Sequence, residues 1–116
     1  MPRLTTTTQK QQARAAFRRA HTLLTHTYNA FLDLADDAGE DYYRVASEAI
    51  GRLTEASEAI APLSLRGAPI IQKSIVAALG EATRLGSVAA DEVTICRDDI
   101  LEYLDEAFPL LERLAK

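Results

Sequence analysis

The feature that most constrains the fold is a recurrence of large apolar residues every seven positions: Phe17, Leu24 and Phe31. Ala13, Ala20, Tyr28 and Ala35 fill the same stripe. At 3.6 residues per turn, positions i, i+3, i+4 and i+7 share one face, so this spacing predicts a helix with one buried side. The pattern returns three times. Ala46, Ala49, Ile50, Leu53, Ala56 and Ile60 form a second stripe, and Ile71, Ile75, Leu79, Ala82 and Leu85 a third. Val93, Ile100, Leu104, Phe108, Leu111 and Leu114 form a fourth. No stretch alternates with the period of two that a half-buried strand requires. The reading is all-α: one up-down four-helix bundle over residues 8–116, with a long first helix behind a flexible leader, 1–7.

Local chemistry sets the expected boundaries. Four consecutive threonines, Thr5–Thr8, are poor helix formers, so the first helix should start near Thr8. Gly39 suits a left-handed position past its end. Asp41 should cap the second helix, and Pro69 fits the first turn of the third, where a missing N–H costs nothing. Gly80 inside the third helix suggests close packing, and Ser87 suits a cap for the fourth. Pro109 removes one hydrogen bond of the last helix, so a kink or break is expected at about Asp105 to Phe108. A first helix longer than the others would overhang, and an overhanging apolar stripe needs a partner, so oligomerisation is expected.

A chain of 116 residues is the size of one ordinary domain and can bury a core without staples. Its single cysteine, Cys96, excludes an internal disulfide and a Cys-rich zinc site, which fits a reducing compartment. "MPRLTTTTQKQQ" has no apolar core of a secretory signal, and no apolar run approaches the ~18 residues of a membrane span. The expected setting is the cytoplasm. Isolated glycines form no phosphate-cradling loop, and no Ser or Cys lies in a nucleophile motif.

The net charge of −4 is unevenly spread. Residues 1–30 hold Arg3, Lys10, Arg14, Arg18 and Arg19 and no acid, whereas eight acids lie from Asp91 onward. Such asymmetry marks a nucleic-acid or partner surface, or helices whose faces attract each other. Lys10, Arg14, Arg18 and Arg19, with the outward His26, are the candidate phosphate or partner contacts. No aromatic is interleaved among them for stacking bases, and a pI of about 5.1 is low for a dedicated nucleic-acid binder.

"DDILEYLDEAF", residues 98–108, packs five carboxylates into eleven positions. On a helical wheel Asp98, Glu102, Asp105 and Glu106 fall within about 100° of one another, opposite Leu101, Leu104, Phe108 and Leu111. Glu48, Glu55 and Glu58 likewise project opposite Leu53 and Ile60. Glu55, Glu58, Asp98, Glu102, Asp105 and Glu106 therefore form an expected acidic outer face.

Glu55-x-x-Glu58 and Glu102-x-x-Asp105 resemble the paired ExxE and ExxD of the MazG-type nucleotide pyrophosphohydrolases. That resemblance implies a magnesium ion held against a triphosphate, though here a whole predicted helix separates the two pairs. "RAAFRRAH", Arg14 to His21, resembles the Arg-x(4–6)-His motif of HEPN ribonucleases. It implies His21 as proton shuttle and Arg14 as phosphate clamp. Ala15 departs from the polar residue usual there.

His21 and His26 are five apart and point about 140° from each other, so they cannot grip one metal from one helix. No Glu-x-x-His of the di-iron bundles occurs. His21, beside Phe17, Leu24 and Tyr28, is expected to be mostly buried with one hydrogen bond, and Cys96 to be a small core residue. No metal and no cofactor are expected. The leading expectation is a non-enzymatic helical adaptor working through a homo-oligomer or larger complex, without membrane or small-molecule substrate. The alternatives are a nucleic-acid-backbone binder and a magnesium-dependent pyrophosphohydrolase.

Overall fold

The computed structural model describes the backbone of residues 2–116 and the side chains of residues 8–116. Four helices follow in order: α1 (Pro2–Leu32), α2 (Asp41–Ile60), α3 (Ala68–Leu85) and α4 (Val93–Ala115). A single 3-10 turn, Ala90–Glu92, leads into α4. Each helix packs on its neighbours in sequence, and α4 closes back onto α1. This is the all-α bundle the four stripes predict. It measures 56 × 20 × 18 Å. The expected leader falls on residues whose side chains lie outside the described set; the backbone of 2–7 forms the first turns of α1.

The inner faces match the stripes closely. Phe17, Leu24, Phe31, Leu53, Ile60, Ile71, Ile75, Leu85, Ile100, Leu104 and Leu111 are all buried. Between them lie buried alanines, among them Ala20, Ala49, Ala56, Ala78 and Ala82. Alternating large and small side chains let neighbouring helices interdigitate at organic-crystal density. Thr27 is buried too; its hydroxyl donates 2.9 Å back to the Leu23 carbonyl and so keeps a partner.

Several boundary expectations need correction. Ala35 lies beyond α1 and is exposed, because the helix ends at Leu32. Gly39 does adopt φ +64°, but at the entrance to α2 rather than the exit of α1. Asp41 is the first residue of α2 and makes no cap bond; its carboxylate turns to Arg44, 3.7 Å away. Pro69 sits in the first turn of α3 as expected, after Gly67 at φ +96°. Ser87 does not cap α4. Its hydroxyl lies 3.2 Å from the Arg84 carbonyl and closes α3 instead. Gly80 is exposed and a Cβ there would meet nothing within 4 Å, so no packing inside the chain requires it.

The described overhang of α1, Thr8–Gln12, is polar and exposed, so the apolar stripe begins only at Ala13, inside the bundle. Among the described residues, the overhang presents no apolar surface. α4 continues through Pro109 to Ala115. Pro109 has no N–H, so the Asp105 carbonyl loses its helical donor on an exposed side of α4.

Truncating Leu53, fully buried between helices, to alanine should cost about 2–5 kcal/mol in urea unfolding. Pro109→Ala should instead raise stability, by up to about 3 kcal/mol, because it restores a helical donor at an exposed position. A neutral Leu53→Ala would mean that the inner faces are not packed as described.

Candidate functional site

The outward helix faces carry the charges, and their sign alternates around the bundle. The described part of α1 holds Lys10, Arg14, Arg18 and Arg19 and no acid. α2 turns Asp41, Glu48, Glu55 and Glu58 outward against the exposed Arg44 and the half-buried Arg52, and is acidic on balance. α3 shows Lys73 and Arg84, preceded by Arg66, against one half-buried acid, Glu81. α4 shows Asp98, Glu102, Asp105, Glu106 and Glu112 against the exposed Arg113. Each helix thus neighbours two helices of opposite sign.

Part of that attraction is used inside the chain. Arg19 and Glu55 form a 2.7 Å ion pair joining α1 to α2, with both side chains more than half exposed. In that setting the pair contributes at most about 1 kcal/mol. Arg18 Nε donates 2.9 Å to the Ala115 carbonyl and satisfies the end of α4. Tyr28 donates to Asp105 at 3.4 Å, a weak bond. Asp98 accepts 3.0 Å from the neighbouring Arg97. Among the described residues, Lys10, Arg14, His26, Glu58, Glu102 and Glu106 have no ion-pair partner within the chain.

The paired carboxylates of the pyrophosphohydrolase reading do not come together. Glu55 and Glu58 project from α2, and Glu102 and Asp105 from α4. All four are exposed, and these two helices occupy opposite corners of the bundle. Among the described residues no group of three or more His, Cys, Asp and Glu is arranged to hold a metal ion.

His21 has 35 % of its side chain exposed, so most of it is buried as expected. Its ring meets Phe108 edge to face at 5.6 Å, and its Nε2 lies 3.6 Å from a Glu112 oxygen, beyond hydrogen-bond length. Arg14 is exposed two turns earlier on the same helix. Arg18, His21, Thr22, Glu112, Ala115 and Lys116 line an open groove of about 450 Å³ between α1 and α4.

Arg97 is the side chain whose place in the structure sequence reasoning missed. It is 14 % exposed and reaches from α4 to the loop between α1 and α2. One terminal nitrogen lies 2.9 Å from Asp36, 3.2 Å from the Leu34 carbonyl and 2.9 Å from the Tyr42 hydroxyl oxygen. The guanidinium also lies over the Tyr42 ring, 5.8 Å from its centre. Tyr42 is fully buried and donates 2.9 Å to the Ala35 carbonyl. Burial opposes the Arg97 charge, but the hydrogen bonds to Asp36 and Asp98 outweigh it and raise its pKa. Of the adjacent tyrosines, then, Tyr42 packs while Tyr43 stays half-exposed, 3.3 Å from the Val88 carbonyl. The only signal in the sequence was a lone cation within an acidic stretch.

Compared with protein-family models, curated proteins and solved structures, the chain matches none of them.

Arg97→Met should cost roughly 1–3 kcal/mol, because it strands the Leu34 carbonyl and takes one of its two hydrogen-bond partners from the Tyr42 hydroxyl. Asp36→Asn should cost less than about 1 kcal/mol, since Asp36 is 82 % exposed. Equal losses in urea unfolding would contradict this division. Burial raises the pKa of both the Cys96 thiol and the Tyr42 hydroxyl. The folded state therefore keeps these protons longer, and stability should be whole below their unfolded pKa values and fall as pH rises from about 9. Cys96→Ala should remove the first part of that fall.

Proposed function

We propose that this chain is a non-enzymatic helical adaptor or accessory subunit that works through its outer faces, as a homo-oligomer or in a larger complex. One observation carries the reading: the outward charge is sorted by helix, with α1 and α3 basic and α2 and α4 acidic. A surface sorted in this way is complementary to a copy of itself. Complementary charge sets orientation and encounter rate, while apolar contact supplies most of the affinity. The outward Lys10, Arg14, Arg18, Arg19 and His26 would meet carboxylates, and Glu55, Glu58, Asp98, Glu102, Asp105 and Glu106 would meet cations. No helix of the described residues is long and apolar enough to cross a membrane.

A second reading has one specific support. Lys10 and Arg14 stand on the exposed side of a helix without acids and make no ion pair among the described residues. Such a surface could sit on a nucleic-acid backbone, with steep salt dependence. The third reading, a magnesium-dependent pyrophosphohydrolase, would need a second copy to bring Glu55 and Glu58 near Glu102 and Asp105.

Native mass in solution, with and without a generic duplex, separates these readings. The expected result is a species heavier than the 12.7 kDa chain, unchanged by the duplex at about 150 mM salt. A duplex complex that Lys10→Glu/Arg14→Glu abolishes would favour the second reading. Turnover of a nucleotide panel with magnesium, lost in Glu55→Gln and Glu102→Gln, would favour the third.

A further inference from the structure

The bundle is polarised along its length as well as around it. One end gathers the α1–α2 loop, the start of α2, the α3–α4 loop and the start of α4, joined by the bonds from Arg97 to Leu34 and from Tyr43 to Val88. The other gathers the first turns of α1, the α2–α3 loop and the end of α4, joined by the bond from Arg18 to Ala115 and by Gly67 beside Leu110 and Leu114. Each end holds two helix N-termini and two C-termini, so the helix dipoles cancel and side chains set its sign.

The first end carries five exposed acids with no ion pair among the described residues: Asp33, Asp37, Glu40, Asp91 and Glu92. Its cations, Arg44, Arg84 and Arg97, each already face an acid. The second end carries five exposed cations in the same condition: Lys10, Arg14, Arg66, Arg113 and Lys116. Its acids are Glu58 and Glu112, the latter 3.6 Å from His21.

Exposed large apolar side chains gather at the same two ends. Leu32 and Ile95 lie at the acidic end, Leu65 and Ile70 at the basic end, and all four are between 42 % and 64 % exposed. Among the described residues, only Val76 is of this kind midway along the bundle.

We propose that copies of this chain stack head to tail, the acidic end of one on the basic end of the next. Charge selects the pairing. Two like ends would press unpaired like charges together, whereas unlike ends neutralise them. An open groove of about 330 Å³ at the acidic end is lined by Tyr43, Ala90 and Val93 beside Asp37 and Glu40. It would receive the neighbour's α1 overhang, Thr8–Gln12, and set Lys10 against those carboxylates. Leu65 and Ile70 would leave water against Leu32 and Ile95, which holds the contact when salt screens the charges. The two patches differ, so the contact repeats and gives a filament or a ring instead of a closed pair. A cross-section of 20 × 18 Å offers roughly half the ~800 Å² per partner of a standard interface, so the contact is weak and reversible.

The inference deepens the homo-oligomer reading and rests on it. The test is light-scattering mass over a concentration series, with circular dichroism to confirm that each variant stays helical. The wild type should pass twice 12.7 kDa as the concentration climbs to about 500 micromolar. Asp37→Lys/Glu40→Lys and Lys10→Glu/Arg66→Glu should each weaken association at least about tenfold. An equimolar mixture of the two should recover to within about threefold of the wild type, because each variant keeps the end that the other has lost. A wild type of single-chain mass at every concentration would overturn both the stack and the homo-oligomer. A plateau at two chains, indifference to both reversals, or a mixture that stays apart would overturn the stack alone.

Discussion

Each helix of this protein has only one side that can leave water, and the bundle follows from that. The inner faces of α1 to α4 carry Phe, Leu and Ile interleaved with alanine, while most charged groups, Arg97 and Arg52 apart, point outward. Burial of the inner faces is the main favourable term, at about 25 cal/mol for each Å² of apolar surface. The outer charges add little stability in water, so they are free to decide how the bundle meets other molecules. Their alternation also suits the observed neighbour order, since adjacent helices carry opposite net charge.

The fold was legible because it depends on spacing. The seven-residue recurrence of Phe17, Leu24 and Phe31 survives any detail of loop geometry, and all three are fully buried. Asp98, Glu102, Asp105 and Glu106 are exposed, as the wheel required. Helix ends were less legible, because caps depend on a few competing hydrogen bonds. Asp41 found Arg44 instead of a backbone N–H, and Ser87 found the carbonyl behind it. A serine hydroxyl can donate backward as easily as it accepts forward, and sequence alone does not decide between them.

Two parts of the surface were not legible at all. Arg97 reads in sequence as one more surface cation, yet three segments converge on it: the α1–α2 loop, α2 and α4. Only tertiary structure brings residues 34, 36, 42 and 97 together. The exposure of Gly80 was hidden for a different reason. Gly80 suggests close packing in sequence, and only its exposure shows that any such packing must come from outside the chain. By contrast, the ExxE and ExxD pairs are conspicuous in sequence, but their helices stand at opposite corners.

The central claim is that this molecule acts through outer faces whose charge orients and whose apolar seam holds. Sedimentation equilibrium across a salt series tests it most directly. From about 50 to 500 mM salt the dissociation constant should rise several-fold as the charges are screened, with association persisting at the upper end. An assembly that vanishes completely in that range would show that charge alone held it, and a single chain at every salt would show that no such seam exists.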